Sequence, residues 1–523
     1  MDAKTLARKK RFLLADQKHN HWRSIFEEAY DYVLPQRESF YDENNIGQRR
    51  GAEVFDETAV VGVQEFASRL QAGMIPSYSR WANLRAGSEV PKENRAEIDQ
   101  ALSEITEYVF EVIQSSNFAQ EANESLLDLA VGTGVMVAEE GNATDPINFR
   151  TIALPSIRLL CGPDDKLSRF YWVRKLTPEE IMIEYPKAKL PQDIKDKKVP
   201  EGQSGKLDVI EAVEKDYDAK DTETYDYWVM LKHSGEVIYE DVFKGEGSNP
   251  YIAFRWSKAA GETYGRGPVL NALAAIKTTN LTVQLILENA EMSIAGIWQA
   301  SSDAEINPET TRLVPGTINI HAEGSEGLRP MTPGGNFNVA DIVLNDMRMN
   351  IKRALYNDML GDPNKTPASA TEIAARQAEL SNRVGAAFGR LQTELVEPII
   401  KRVIYILKKQ GKIKLPRVNG KEVRIQAISP LAQSQHQQDI VVLDQFFGML
   451  AQRFGPRVAM MIVKQEEAIP YLAERFNVPE FLLRTPKELM EITQQLQAAA
   501  EQNPEAAQMA ADQMGRDPGP TQN

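Results

Sequence analysis

Cysteine is almost absent from this chain of 523 residues, in which Cys161 is the single example. One thiol cannot form an internal disulfide, and it cannot supply the ligands of a cysteine-based zinc site or iron–sulfur cluster. Cys161 stands at the predicted end of a strand, before a Gly-Pro-Asp-Asp turn. We interpret it as a buried structural thiol, with a reactive nucleophile as the alternative.

Long apolar runs are lacking too. No segment approaches the roughly 18 consecutive apolar residues that a membrane-spanning helix requires. The basic stretch over residues 4–11 is followed by only four apolar residues, which is too short for the apolar region of a signal peptide. The sequence therefore predicts a protein that is made and used in the cytoplasm, or in an assembly built there, without a membrane partner.

Basic residues are outnumbered by acidic ones. The 60 Lys and Arg residues stand against 74 Asp and Glu, which gives a formal net charge of −14. Strong sequence-independent binding of phosphates by the whole molecule is excluded, because it requires a basic surface. The 42% of hydrophobic residues is ordinary for a folded protein, and the length predicts two to four packed units.

Recognisable catalytic motifs are also lacking. The sequence contains no P-loop and no Gly-x-Ser-x-Gly elbow, and its five histidines are scattered. Gly132 and Gly134 follow a predicted helix and precede a predicted strand, which is the reverse of a dinucleotide-binding loop. We predict no catalytic residue, no metal and no cofactor; paired carboxylates are interpreted as solvated faces, with a nuclease-type metal site as the alternative.

Apolar periodicity predicts a mainly helical α+β fold. Four helices are expected before the first strands, over residues 15–34, 56–72, 92–115 and 118–130. Residues 130–257 carry short β-branched and aromatic runs, which predict one sheet packed against these helices and one short helix capped by Thr177.

Two long helices then enclose a small β segment. Residues 268–293 predict a helix about 40 Å long, roughly twice the ordinary length. Residues 294–338 are rich in Gly, Pro and Ser with short β runs, and residues 339–359 predict a returning helix. Because such a projecting hairpin cannot bury both faces in a monomer, neighbouring copies are expected to cover it. Gly265 and Gly267 precede it as a hinge, with a flexible loop as the alternative.

The rest of the chain is predicted to be mostly helical. A turn near Thr366 leads into a long helix that reaches about residue 409, with a kink at Pro398. Residues 412–428 suggest a final pair of strands, and helices resume over residues 438–500. Residues 502–523 are rich in Gln, Ala and Pro and are predicted to be disordered.

Basic residues cluster at the base of the hairpin. Arg348, Lys352 and Arg353 lie within two turns of the returning helix, and Lys365 follows in the adjoining loop. By themselves they indicate the solvated face of an amphipathic helix. Their interest comes from their position at the base of a projecting hairpin.

Four motifs, with their order and spacing, resemble the head-to-tail connector, or portal, proteins of short-tailed bacteriophages. They are Trp22 to Pro35 with Ile25, Tyr30 and Leu34; Val54 to Thr58 with Pro76, Trp81 and Leu84 downstream; Tyr264 to Pro268 with Asn271; and Ser369 to Glu379. The resemblance covers about residues 15–430. It implies a portal-type fold in named parts: a wing (1–267), a stem (268–293 and 339–359), a clip (294–338), a channel loop with a long helix returning to the wing (360–430), and a C-terminal crown (431–501).

The resemblance also implies a function. Portal proteins form a dodecameric ring at one capsid vertex, where they are the channel for genome packaging and ejection. The implied partners are further copies of the chain, viral double-stranded DNA, the packaging terminase, the tail adaptor and tail, and the major capsid and scaffolding proteins. DNA would slide past a mostly acidic wall with few phosphate contacts, which we assign to Arg348, Lys352, Arg353 and Lys365. The implied channel loop includes Asp362, Pro363, Asn364 and Thr366.

Two other classes of protein stay open at this point. Another head–tail structural protein, such as an adaptor or an internal core protein without a DNA channel, would need no long hairpin around a β segment. A packaging ATPase or nuclease is opposed by the lack of a Walker motif and of a metal-ligand cluster.

Overall fold

The chain divides into two compact units, Met1–Ser79 with Val112–Gln410 and Arg80–Glu111 with Gly411–Asn523. The computed structural model describes residues 2–37, 39–40, 53–87, 92–142, 144–191, 205–219, 223–295, 297–299, 329–331, 337–357, 385, 387–414, 423–428, 443, 445–450, 452–455 and 472. The predicted channel-loop residues Asp362, Pro363, Asn364 and Thr366, the cation Lys365 and the tail over 502–523 lie outside these described residues. Most of the predicted crown does too.

In the described part of residues 2–131 the structure has four helices, as predicted. They are α1 (Ala3–Val33), α2 (Thr58–Met74), α3 (Lys92–Ser115) and α4 (Phe118–Val131). The last three agree closely with the apolar periodicity. α1 begins twelve positions earlier than the predicted residue 15, because Asp2 caps it by accepting a hydrogen bond from the Thr5 amide at 2.8 Å.

One strand lies between α2 and α3, and the strands that follow α4 form two antiparallel sheets in the described part of residues 133–255. In chain order the first nine are β1 (Ala82–Ala86), β2 (Thr133–Glu140), β3 (Ile147–Thr151), β4 (Ile157–Cys161), β5 (Leu167–Leu176), β6 (Leu207–Asp216), β7 (Thr224–Leu231), β8 (Val237–Lys244) and β9 (Tyr251–Arg255). One sheet has the order β3-β2-β9 and the other β4-β5-β6-β7-β8. The short helix α5 (Pro178–Glu184) begins at the predicted cap, where Thr177 and Glu180 form a reciprocal capping box.

The prediction of a single sheet over residues 130–257 was wrong. The chain leaves β3 through a short 3₁₀ turn, Leu154–Ser156, and starts a separate sheet at β4. Pro155 has no amide hydrogen to donate to a ladder, so the turn interrupts strand pairing. β9 then returns to β2, with Thr133 opposite Arg255, and completes the smaller sheet.

α1 packs across one face of the five-stranded sheet. Its Phe12 and Ala15 are buried in one apolar cluster with side chains from four strands, namely Leu160, Tyr171, Ile210, Ala212, Trp228 and Met230. Arg8 secures the first turns of the helix, because its guanidinium lies 5.5 Å from the Trp228 ring centroid and pairs with Glu240. Burial of this early face also explains why α1 extends toward the N-terminus.

Two long helices form the predicted hairpin. They are α6 (Pro268–Ala295) and α7 (Phe337–Ala354), which pack against each other. The short strands β10 (Ile297–Gln299) and β11 (Arg329–Met331) pair antiparallel between them. α7 ends five positions before the predicted residue 359. The naming of these elements as stem and clip stays a prediction.

Among the described residues after α7 there is an irregular helix and an unexpected strand pair. A π-helical turn, Gln392–Val396, directly precedes α8 (Glu397–Lys409), at the place where a kink was predicted from Pro398. In the second unit, β12 (Val423–Ala427) pairs antiparallel with β1. The expectation that residues 412–428 contain both partners of a strand pair was therefore wrong for β12.

Candidate functional site

The base of the two long helices is fastened by the short segment of residues 53–57. The side-chain amide of Asn280, on α6, binds this segment through both its oxygen and its nitrogen. Its Oδ1 accepts hydrogen bonds from the Phe55 amide at 2.7 Å and the Asp56 amide at 3.1 Å, and its Nδ2 donates to the Glu53 carbonyl at 2.8 Å. The side chain of Asn280 is buried, so these bonds replace the water that it has lost.

Asp56 joins the same segment to α7. Its Oδ2 accepts a hydrogen bond from Nε of Arg348 at 2.8 Å and forms an ion pair with Nη2 at 2.7 Å, while its Oδ1 accepts a hydrogen bond from the Thr58 amide at 3.0 Å. Burial would raise the pKa of the Asp56 carboxyl, but the hydrogen bonds from Thr58 and Arg348 outweigh it and hold the pKa below its usual value. The carboxylate therefore stays charged and binds both partners.

The four predicted DNA contacts differ in what the structure shows. Arg348 is engaged by Asp56, so its charge is neutralised within the chain. Lys352 and Arg353 are exposed in the last turn of α7. Lys365 lies outside the described residues. The structure thus brings three of the four together on α7, and it gives Arg348 a structural partner.

α7 ends in a strained turn held against α2. Tyr356 adopts a φ of 59°, a left-handed backbone conformation that residues other than glycine rarely take. The Tyr356 amide donates to the Arg353 carbonyl at 3.1 Å and the Asn357 amide to the Lys352 carbonyl at 2.7 Å, the bonds of a Schellman motif. This motif stops the helix before its predicted end.

The strained turn is stabilised by ring packing and by a hydrogen bond to α2. The Tyr356 ring packs against Phe66 of α2 and Trp256, at centroid distances of 6.4 and 5.5 Å. The Asn357 side-chain amide donates to the Gly62 carbonyl at 2.7 Å, and Leu355 is fully buried. Because strain persists only where the surroundings enforce it, this turn is a fixed point at the end of the hairpin.

The two predicted hinge glycines lie in close contact with the backbone at the end of α4. A Cβ on Gly265 would fall inside contact distance of the Gly132 carbonyl oxygen, and one on Gly267 would collide with the Ala130 carbonyl. The Gly267 amide also donates to the Val131 carbonyl at 2.8 Å. In this structure both positions require glycine for close packing. That the hairpin turns at this point stays a prediction.

Both long helices present apolar side chains to solvent. Leu281, Leu285 and Leu287 of α6 and Met349 of α7 are each more than half exposed, and Val343 is 42% exposed. Exposed apolar side chains on adjacent helices are typical of surfaces that another protein covers.

Sequence reasoning missed three residues of this site: Asp56, Asn280 and Tyr356. The motif over residues 54–58 was noticed, but nothing local shows that Asp56 binds a side chain 292 positions away. Among the described residues, no group of three His, Cys, Asp or Glu side chains is arranged to hold a metal ion. Within that same part of the chain, no helix is long and apolar enough to span a membrane.

Comparison with known proteins gives consistent matches over most of the chain. The profile of a family described as "Bacteriophage head to tail connecting protein" matches residues 6–483. The chain is 22% identical over 452 residues to the "Probable portal protein" of Bordetella phage BPP-1, covering 82% of this chain and 79% of that protein. It is 22% identical over 523 residues to the "Portal protein" of Salmonella phage epsilon15, covering 94% of this chain and 89% of that one. A chain in the structure "Virion of native gene transfer agent (GTA) particle" matches with a TM-score of 0.34 and 13% identity, covering 79% of this chain and 89% of that chain.

Proposed function

Because the chain belongs to the family of bacteriophage head to tail connecting proteins, we propose that it forms a closed dodecameric ring at one capsid vertex. It is a portal-type structural protein of the virion head–tail junction and not an enzyme. The ring would be the channel through which the genome is packaged and ejected. The packaging terminase would dock on this ring during packaging, and the tail adaptor and tail would dock on it later. The major capsid and scaffolding proteins would surround it.

The exposed leucines of α6 carry the ring proposal. Leu281 and Leu285 are four positions apart and therefore lie on one face of the helix, where they are 53% and 56% exposed. Full burial of a leucine side chain contributes about 1.5–3 kcal/mol relative to exposure. A neighbouring copy placed side by side would cover this face, and the ring that results closes on itself without an exposed end.

Charge supports the proposed channel. Each chain carries a formal net charge of −14, so a ring of copies is strongly acidic and repels DNA phosphates over most of its surface. Weak, sequence-independent contact through a few cations lets DNA slide. We propose Lys352, Arg353 and Lys365 for these contacts. Arg348 forms an ion pair with Asp56.

The decisive experiment is native mass spectrometry combined with negative-stain microscopy of the purified protein. We expect particles of about twelve chains with a central hole. Leu285→Glu should shift the protein to monomers, because a charge would be buried in each interface, and Leu285→Met should retain the ring.

Two outcomes would overturn the proposal. One is solitary wild-type chains at every concentration tested. The other is an assembly without a central hole, which would favour an adaptor or internal core protein.

A further inference from the structure

Arg255 is a buried cation that binds three separate segments of the chain. It lies on β9 and is only 3% exposed. Its Nη1 donates to the Thr263 carbonyl at 3.2 Å and lies 3.7 Å from Sγ of Cys161 at the end of β4. Its remaining donors bind Glu394, which belongs to the π-helical turn before α8. One guanidinium therefore contacts the end of β4, the glycine-containing turn before α6 and the π-helical turn before α8.

Glu394 is bound by Arg255 through both backbone and side chain. Its Oε2 accepts from the Arg255 amide at 2.9 Å and from Nε at 3.2 Å, and its Oε1 accepts from Nη2 at 2.5 Å. The π-helical turn adds one residue to the helix at this point. Such turns commonly mark places where a helix serves a specific contact, and here the contact is the ion pair with Arg255.

The turn beside Arg255 is hydrogen-bonded along its whole length. The Gly265 amide donates to Oγ1 of Thr133 at 2.8 Å, and the Arg266 amide donates to the Ser257 carbonyl at 2.8 Å. The Thr263 carbonyl, at the other end of the turn, is held by Arg255 itself. These bonds fix the path by which the chain enters α6.

An ion pair whose cation is buried, as Arg255 is here, cannot lose its carboxylate without a large penalty. If the π-helical turn moved away, the Arg255 guanidinium would remain buried without its carboxylate. It would have to follow Glu394 or become solvated, and either movement breaks its bond to Thr263. The π-helical turn and the turn over residues 263–267 are thus both held by Arg255. Because the same side chain stabilises both, movement of one changes the stability of the other, which is the requirement for coupling between them.

We propose that the Arg255–Glu394 pair couples the π-helical turn before α8 to the turn over residues 263–267. Release of Glu394 loosens the base of α6, and loosening of the 263–267 turn loosens the helix at Glu394. Arg255 is therefore a positioning residue for the long helices. The coupling is a property of the single chain, so it is testable whether or not copies assemble into a ring.

Hydrogen exchange measured by mass spectrometry tests the first direction. Glu394→Gln keeps the shape of the side chain but removes its charge. We expect amides 265–267 to exchange at least tenfold faster in this variant. Glu397→Gln is the matched control, because Glu397 lies three positions further on and pairs with Lys401; it should change exchange at 265–267 less than twofold.

The reverse direction is tested by Thr133→Val, which removes the acceptor of the Gly265 amide with little change in shape. Thr133 lies opposite Arg255 in the β2–β9 ladder, and the hydrogen bond that it loses is to Gly265 and not to Glu394. Reciprocity therefore requires faster exchange of amides 392–397. Amides 209–213 of β6 report whether the fold as a whole is intact. The proposal is overturned if exchange at 265–267 rises less than fivefold in Glu394→Gln, if amides 392–397 are unaffected by Thr133→Val, or if β6 is accelerated equally.

Discussion

Oδ2 of Asp56 lies 2.8 Å from Nε and 2.7 Å from Nη2 of Arg348, a side chain 292 positions further along the chain. The Asp56 side chain is 4% exposed, so Arg348 neutralises a charge that is largely removed from water. Arg348 was predicted from sequence as a phosphate contact. The structure pairs it with Asp56, which links α7 to the segment over residues 53–57, and its contact with phosphate stays a prediction.

Arg348→Ala should lower the free energy of unfolding and leave DNA affinity nearly unchanged. Removal of the guanidinium leaves a buried carboxylate unpaired, and we expect the free energy of unfolding to fall by about 2 kcal/mol. This figure is below the range for fully buried pairs, because Arg348 is 37% exposed and partly screened. Lys352→Ala is the control: its stability should change by less than about 0.5 kcal/mol, while the salt dependence of DNA binding weakens. Urea unfolding followed by circular dichroism measures the first effect.

The opposite pattern would contradict this assignment. If Arg348→Ala left the urea midpoint unchanged and weakened DNA binding as much as Lys352→Ala, Arg348 would be a channel contact and its pairing with Asp56 would contribute little.

Gly267→Ala should prevent normal folding. The new Cβ would collide with the Ala130 carbonyl, and backbone atoms cannot move aside as flexible side chains do. We expect a loss of about 3 kcal/mol or more, visible as a lower urea midpoint or as insoluble protein. Gly389→Ala is the matched control, because Gly389 is helical and a Cβ there meets nothing within 4 Å. It should stabilise the protein by about 0.5–1 kcal/mol. Equal effects of the two substitutions would refute the packing role of Gly267.

Tyr356→Gly should be more stable than Tyr356→Ala, which is the preference expected at the left-handed position that ends a helix. Both substitutions remove the ring contacts with Phe66 and Trp256, so their difference isolates the backbone. At a φ of 59°, alanine is strained and glycine is not, and we expect the glycine variant to be about 1 kcal/mol more stable. Ala354→Gly, at the last residue of α7 and in helical conformation, should show the reverse preference by about 0.5–1 kcal/mol. Comparison of thermal midpoints measures both differences; a more stable Tyr356→Ala would mean that the left-handed turn is absent.

Local patterns predicted most elements of the fold, but not how they meet. The periodicity of residues 92–115 and 118–130 and the Thr177 cap describe interactions within a few residues, which a sequence displays directly. The split into two sheets depends on β9 returning to β2, and the β1–β12 pair joins strands from distant parts of the chain. Neither pairing leaves a local pattern.

The candidate site shows the same limit. The basic residues of α7 were visible as a cluster, yet the partner that sets Arg348 apart from Lys352 is Asp56, far away in sequence. The left-handed conformation of Tyr356 was not predicted, because the rings that stabilise it, Phe66 and Trp256, are distant in sequence. Gly265 and Gly267 were predicted to be a hinge because glycine has wide backbone conformational freedom. In the structure, the lack of a side chain at these positions permits close packing against the end of α4.

His19 should make the fold sensitive to acid. Its Nε2 lies 3.2 Å from the Leu154 carbonyl oxygen, and its ring packs against Tyr264 at 5.7 Å. Burial, with help from the nearby Arg158 charge, lowers the pKa of His19 to about 3 from 6.5. Between these two values the unfolded chain binds a proton that the folded chain does not. The contribution of His19 is therefore complete above pH 6.5 and is lost as the pH falls toward 3.

The expected loss is about 2 kcal/mol between pH 6.5 and 5, since one such group changes stability by up to about 1.4 kcal/mol per pH unit. His19→Gln retains a donor for the Leu154 carbonyl but has no proton to gain, so its urea midpoint should fall less than that of the wild type over this pH interval. His21→Gln, at an exposed position on the same helix, should behave as the wild type does. Carboxylates also titrate below pH 5, but they are common to all three proteins and cancel in the comparison. An identical pH response in His19→Gln and the wild type would show that His19 accepts a proton in the folded protein, which its burial between Leu154 and Tyr264 argues against.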